Sequence, residues 1–127
     1  MSRTFLLIED NEHNRYLATF LLEKSGHQVV SAPDGARGIE MARELRPDAV
    51  LLDIQLPTMD GYTVARALRG LDGLASTPII AVTSYAMVGD REKAIEAGCT
   101  GYLEKPINPE TFVRDIELYC QPQHRAP

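Results

Sequence analysis

Five short apolar runs alternating with five amphipathic segments predict an α/β protein, a five-stranded parallel sheet covered by helices on both faces. Two observations carry that expectation. Phe5–Ile8, Ala49–Leu52 and Ile79–Val82 show no polar alternation, which suits strands buried on both faces. Each is followed, after a turn, by apolar residues at helical spacing, so strand and helix alternate and successive strands run parallel. A chain of 127 residues has room for one such domain.

Phe5-Leu6-Leu7-Ile8 makes the first strand and stops at the acidic loop Glu9-Asp10-Asn11. Leu17, Phe20 and Leu21 then form the expected apolar stripe of a first helix, with Gly26 as its stop, and Val29-Val30 gives a second strand. Asp34-Gly35 opens a second helix with the stripe Ile39, Ala42 and Leu45; it should end at Arg46, because the α conformation is disfavoured before Pro47. Ala49–Leu52 is the central strand and runs into Asp53, after which Pro57 and Asp60-Gly61 force a turn. Val64, Ala67, Leu68 and Leu71 fill the i, i+3, i+4, i+7 template of a third helix closed by Gly70 and Gly73.

Ile79–Val82, entered through Pro78, is a fourth strand finishing on Thr83-Ser84. Asp90 is the expected N-cap of a helix from Arg91 to Ala97 closed by Gly98, and Gly101–Glu104 is a fifth strand followed by Lys105-Pro106. Asn108-Pro109-Glu110 supplies a cap, a first-position proline and a first-turn acid ahead of Phe112, Val113, Ile116, Tyr119 and Cys120, an amphipathic last helix. The expected domain is 1–120. Residues 121–127, polar and with two prolines, read as a frayed tail with no output domain.

Thirteen basic and eighteen acidic side chains leave a net charge of −5 with no basic run, which argues against a nucleic-acid or anionic-membrane surface. Proteins and small ions are the expected partners. Cys99 and Cys120 have no metal-ligand spacing and suit a reducing compartment as inert thiols. The apolar run before Glu9 is too short for a signal peptide or a membrane span, so the expected location is the cytoplasm. His13, His27 and His124 stand at no strand end and read as surface residues without a chemical role.

Right-handed crossovers between parallel strands bring the carboxyl ends to one edge, and there Glu9, Asp10, Asp53, Thr83 and Lys105 should meet. Singly, each is an ordinary solvated residue; their convergence at four strand ends is what points to a site. Three carboxylates repel one another by about 4 kcal/mol per close pair at 4 Å and an effective dielectric near 20. Lys105 brings one compensating charge, and a hard divalent ion would bring two more. Magnesium suits oxygen ligands of this kind, whereas softer metals would want His or Cys. Asp53 could then attack a phosphoryl group whose oxygens the metal, Thr83 and Lys105 neutralise, forming an acyl phosphate.

Glu9-Asp10-Asn11, Asp53, Thr83-Ser84, Tyr102 and Lys105-Pro106 resemble the response-regulator receiver family, over Thr4 to about Tyr119. Thr83 to Met87 and Gly98 to Pro106 are most similar to DivK-type single-domain receivers and hybrid-kinase receivers. The resemblance implies a doubly wound, flavodoxin-like or CheY-like (βα)5 sheet of strand order 2-1-3-4-5. It implies a two-component or phosphorelay role in which Asp53 takes phosphate from a sensor histidine kinase or a histidine phosphotransfer protein. By the same resemblance, Glu9, Asp10 and Asp53 hold magnesium with the backbone carbonyl of Gln55, Thr83 and Lys105 bind phosphoryl oxygens, and the bond before Pro106 is cis.

The resemblance further implies a switch: Thr83 moves to the phosphoryl group, Tyr102 turns inward, and the surface of the fourth helix, fifth strand and fifth helix changes for a downstream protein. Without it, Tyr102 reads as an amphipathic aromatic at a strand edge. Such a protein catalyses only its own phosphorylation and dephosphorylation. Ser84 stands where many receivers have Ala, and Gln55 and Tyr85 occupy positions that tune phosphate lifetime in the family. The chain is then either a single-domain relay protein or an excised receiver.

Other readings meet specific obstacles. A phosphatase with an aspartate nucleophile would place a second Asp, as general acid, where Gln55 stands. A flavodoxin-like electron carrier needs a Ser/Thr/Gly-rich phosphate loop after the first strand, and Glu9-Asp10 would repel that phosphate. A pseudo-receiver acting as a binding module would lack the acceptor or the lysine, and both are present.

Overall fold

The computed structural model of the chain describes residues 2–84 and 88–121. In chain order the elements are β1 (Thr4–Ile8), α1 (Glu12–Lys24), β2 (Gln28–Ala32), α2 (Gly35–Leu45), β3 (Ala49–Asp53), α3 (Gly61–Arg69), β4 (Ile79–Thr83), α4 (Asp90–Glu96), β5 (Gly101–Glu104) and α5 (Phe112–Tyr119). All neighbouring strands pair parallel, in the order β2-β1-β3-β4-β5. Every residue of β3 and β4 is buried, which explains their continuous apolar runs.

The two-residue period of the strands splits the core. Leu6, Ile8, Val50 and Leu52 face α2, α3 and α4 through Ala42, Val64, Leu68 and Ala94. Phe5, Leu7, Leu51 and Ile80 face α1 and α5 through Ala18, Leu22, Phe112 and Ile116. Burying one leucine-sized side chain contributes about 2 kcal/mol, so these layers dominate stability.

Several local expectations need correction. The buried residues of α1 are Ala18 and Leu22, whereas Phe20 is exposed and stacks on Tyr16. A template weighted towards large residues misses a face that begins at an alanine. On α2 the buried positions are Gly35, Gly38 and Ala42, and Leu45 is exposed. A Cβ on Gly38 would stand 2.5 Å from Ile8 Cδ1, so this helix approaches the sheet because a side chain is missing. On α3 the buried set is Gly61, Val64, Ala65 and Leu68, with Leu71 beyond the helix end.

Gly89, not Asp90, is the N-cap of α4, and Asp90 is its first residue. Asn108 to Glu110 form a turn stitched by Phe112 N–H donating to Asn108 O at 2.9 Å, and α5 begins only at Phe112. Pro109 therefore precedes the helix rather than starting it. Tyr85 and the segment from residue 122 on, with His124, lie outside the described residues. Among the described residues no helix is long and apolar enough to cross a membrane.

Candidate functional site

The carboxyl edge of the sheet positions the site. Asp53 is the last residue of β3 and Glu9 follows β1 directly; both are buried, while Asp10 beside them is exposed. One carboxylate oxygen from each of Glu9, Asp10 and Asp53 lies within 4.8 Å of the others. Lys105, just past β5, places Nζ 3.0 Å from Glu9 Oε1 and 3.5 Å from Asp53 Oδ2.

Local backbone geometry fixes these side chains. The Gln55 N–H donates to Asp53 Oδ1 at 2.9 Å, and the Asn11 N–H donates to Glu9 Oε2 at 3.2 Å. Arg15, one turn into α1, donates from Nη1 to the carbonyls of Glu9 at 3.0 Å and Asp10 at 3.3 Å, holding the acidic loop against the helix. Gly61 permits the turn after Asp53: a Cβ there would lie 2.5 Å from Ile54 Cα and 2.9 Å from the Asp53 carbonyl oxygen.

Three carboxylates against one ammonium leave two negative charges uncompensated. Burial, reinforced by the adjacent Asp53 carboxyl, pushes Glu9 up to about 7, with Lys105 pulling the other way. Without a further cation, burial and the neighbouring carboxyl therefore favour protonation of Glu9. The donor set is all oxygen and its three atoms lie within 4.8 Å of one another, which suits a hard divalent ion such as magnesium.

Thr83 ends β4, is buried, and its carbonyl accepts the Lys105 N–H at 2.8 Å. The Ser84 N–H donates to Gln55 Oε1 at 3.2 Å, so Gln55 ties the loop after β3 to the loop after β4. Tyr102 on β5 is half-buried and packs against the cluster shared with α2, α3 and α4; burial, then Asp90, raises its phenol. The Lys105–Pro106 peptide bond is cis.

Two features escaped the sequence. Arg15 carried no signal beyond its place one turn after the acidic loop. His27, expected on the surface, is buried: Nδ1 accepts the Arg3 N–H at 3.0 Å, Nε2 lies 2.8 Å from Glu117 Oε2, and the ring packs edge-on to Phe5. Ninety residues separate His27 from Glu117, so no local pattern could pair them. Neither feature adds a group to the acidic cluster.

A five-stranded parallel sheet of this order, with carboxylates and a lysine gathered at its carboxyl edge, has the architecture of the doubly wound proteins, which bind their ligands at that edge. A family model described as the response regulator receiver domain matches residues 5–117, and the chain belongs to that family, the receiver domains of two-component signalling. It is similar to the polar-differentiation response regulator DivK of Brucella anthropi, 40% identical over 119 residues, covering 94% of this chain and 97% of that protein.

Among solved structures it resembles the receiver domain of a Pseudomonas aeruginosa sensor histidine kinase, which has a magnesium ion coordinated in its active site cleft. The match has a TM-score of 0.85 and 34% identity, covering 94% of this chain and 98% of the other. A chemotaxis response regulator of Vibrio cholerae matches with a TM-score of 0.89 and 27% identity, over 94% and 99% of the two chains.

Proposed function

We propose that Asp53 is the phosphoacceptor of this receiver and that residues 1–120 act as one receiver unit. The observation that carries this reading is the position of Asp53: buried at the end of the central strand, 3.5 Å from Lys105 Nζ, within a cluster two charges short of neutrality. An Asp53 carboxylate oxygen attacks the phosphorus of a phosphohistidine. The P–N bond breaks, the imidazole leaves with the electron pair, and an aspartyl phosphate forms. The donor is a sensor histidine kinase or a histidine phosphotransfer protein, and apart from this self-reaction the protein is not an enzyme.

Glu9, Asp10 and Asp53 would hold magnesium, with the Gln55 backbone carbonyl as a further ligand. When bound, the ion supplies two positive charges that offset the carboxylates and the incoming phosphoryl oxygens. Lys105 keeps Nζ beside the acceptor, and the hydroxyl of Thr83, the last residue of the adjacent strand, would bond a phosphoryl oxygen. Thr83 and Tyr102 then act as the switch that alters the α4-β5-α5 face for a downstream protein. The Mg-coordinated cleft of the similar Pseudomonas receiver supports the metal assignment. We place the protein in the cytoplasm, with no nucleic-acid or membrane partner.

Intact mass after treatment with acetyl phosphate and magnesium tests this reading. One phosphoryl adduct is expected on the wild-type chain and none on Asp53→Asn. An adduct of equal yield on Asp53→Asn would remove Asp53 from the role.

A further inference from the structure

The outer face of α1 carries a row that the receiver chemistry does not use. Glu12, Tyr16, Phe20 and Lys24 recur every four residues along the helix and are all exposed, Tyr16 to 70% and Phe20 to 49%. The core-facing residues Ala18 and Leu22 point the other way. The two rings already stack on each other, centroids 6.4 Å apart at 16°, and Lys24 Nζ lies 5.9 Å above the Phe20 ring. An exposed aromatic pair held in one arrangement by its own helix loses little side-chain freedom when it is covered.

The order of the row is acid, aromatic, aromatic, base, and read backwards against itself it is complementary. We propose that α1 is a self-association surface on which a second copy of this chain docks antiparallel about a two-fold axis passing between Tyr16 and Phe20. Residues spaced by four form one of the natural ridges of a helix, and two such ridges interdigitate when helices cross at about −50°, the commonest packing class. In that arrangement Tyr16 of one copy meets Phe20 of the other at the centre, and Glu12 meets Lys24 at each end. The contact is isologous, so each complementary pair occurs twice. One helix face per copy is a small interface, so the dimer is weak, with a dissociation constant on the order of 0.1 mM.

Sedimentation velocity of the full chain over a concentration series reads the proposal, with a charge exchange as its internal control. Glu12→Lys and Lys24→Glu each set like charges against one another at both ends of the homodimer and should weaken it about tenfold. An equimolar mixture of the two variants restores opposite charges at both ends and should recover wild-type association. Phe20→Ala should abolish it, with retained circular dichroism as the measure of folding. Raised salt should weaken the wild-type dimer and the mixed dimer alike. A chain that stays monomeric to millimolar concentration, or a mixture that associates no better than either variant alone, would overturn the proposal. So would a monomeric chain whose Phe20→Ala variant loses only phosphotransfer from a histidine-bearing donor protein, because the row would then belong to that donor.

Discussion

The two edges of the same sheet treat buried polar groups in opposite ways. At the amino edge His27 is satisfied at both ring nitrogens, by the Arg3 N–H and by Glu117, and the Thr4 N–H donates to Asp48 at 2.8 Å. At the carboxyl edge buried Glu9 and Asp53 share Lys105, with exposed Asp10 beside them, and Glu9 is pushed up to about 7. Both edges arise from the same strand-helix repeat, so topology does not explain the difference. The amino edge is complete by itself and holds the fold; the carboxyl edge is complete only with further positive charge, and that deficit is its capacity for chemistry.

Supplying or withholding that charge should have the largest effect. Chelation of divalent metal should stop phosphorylation by acetyl phosphate, read by intact mass, because Glu9 and Asp10 then only repel the incoming group. Full phosphorylation in excess chelator would mean that the carboxyl edge needs no cation.

The same deficit gives the metal-free protein a pH-dependent stability. Glu9 is raised in the folded state, so the folded chain binds a proton more tightly than the unfolded chain. Its contribution is fully present below about 4.5, the ordinary value, and is lost as pH rises through about 7. Urea denaturation between pH 5 and 8 should record that loss as a falling stability. Magnesium should reduce the slope at the upper end, because the ion favours the charged carboxylate.

At the amino edge, His27→Ala should destabilise the fold by about 2 kcal/mol, since it strands the Arg3 N–H and removes a partner of Glu117. It should leave the yield of phosphorylation per folded molecule unchanged. A His27→Ala protein that is fully stable would show that the amino edge is not the completed one. The smallest effect belongs to Thr83→Ala, which should still accept phosphate on Asp53 but show a gain in partner affinity on phosphorylation several-fold smaller than wild type, measured by calorimetry.

How much of this is legible in sequence follows from the range of each interaction. β3 and β4 are legible because burial on both faces writes a continuous apolar run. Glu9, Asp53, Thr83 and Lys105 are legible because strand ends converge whatever the helices do. The faces of α1 and α2 are not, because Ala18, Gly35 and Gly38 pack by being small, and a pattern of large residues reads past them. The start of α5 moves to Phe112 because Asn108 closes a separate turn first. His27 depends on Glu117, which only the folded chain brings near, and the rise of the Glu9 carboxyl depends on burial that spacing cannot report.

The sharpest test of the contrast is a single substitution, Glu9→Gln, followed by thermal unfolding at pH 8 with and without magnesium. Glutamine keeps the shape and can still accept from one of the two donors, the Asn11 N–H or Lys105 Nζ, and it removes the charge that burial disfavours. The midpoint of metal-free Glu9→Gln should therefore lie above that of wild type, and magnesium should raise it less than it raises wild type. A metal-free midpoint that falls, as His27→Ala should make it fall, would contradict the account, because Glu9 would then belong to the structure rather than to the site.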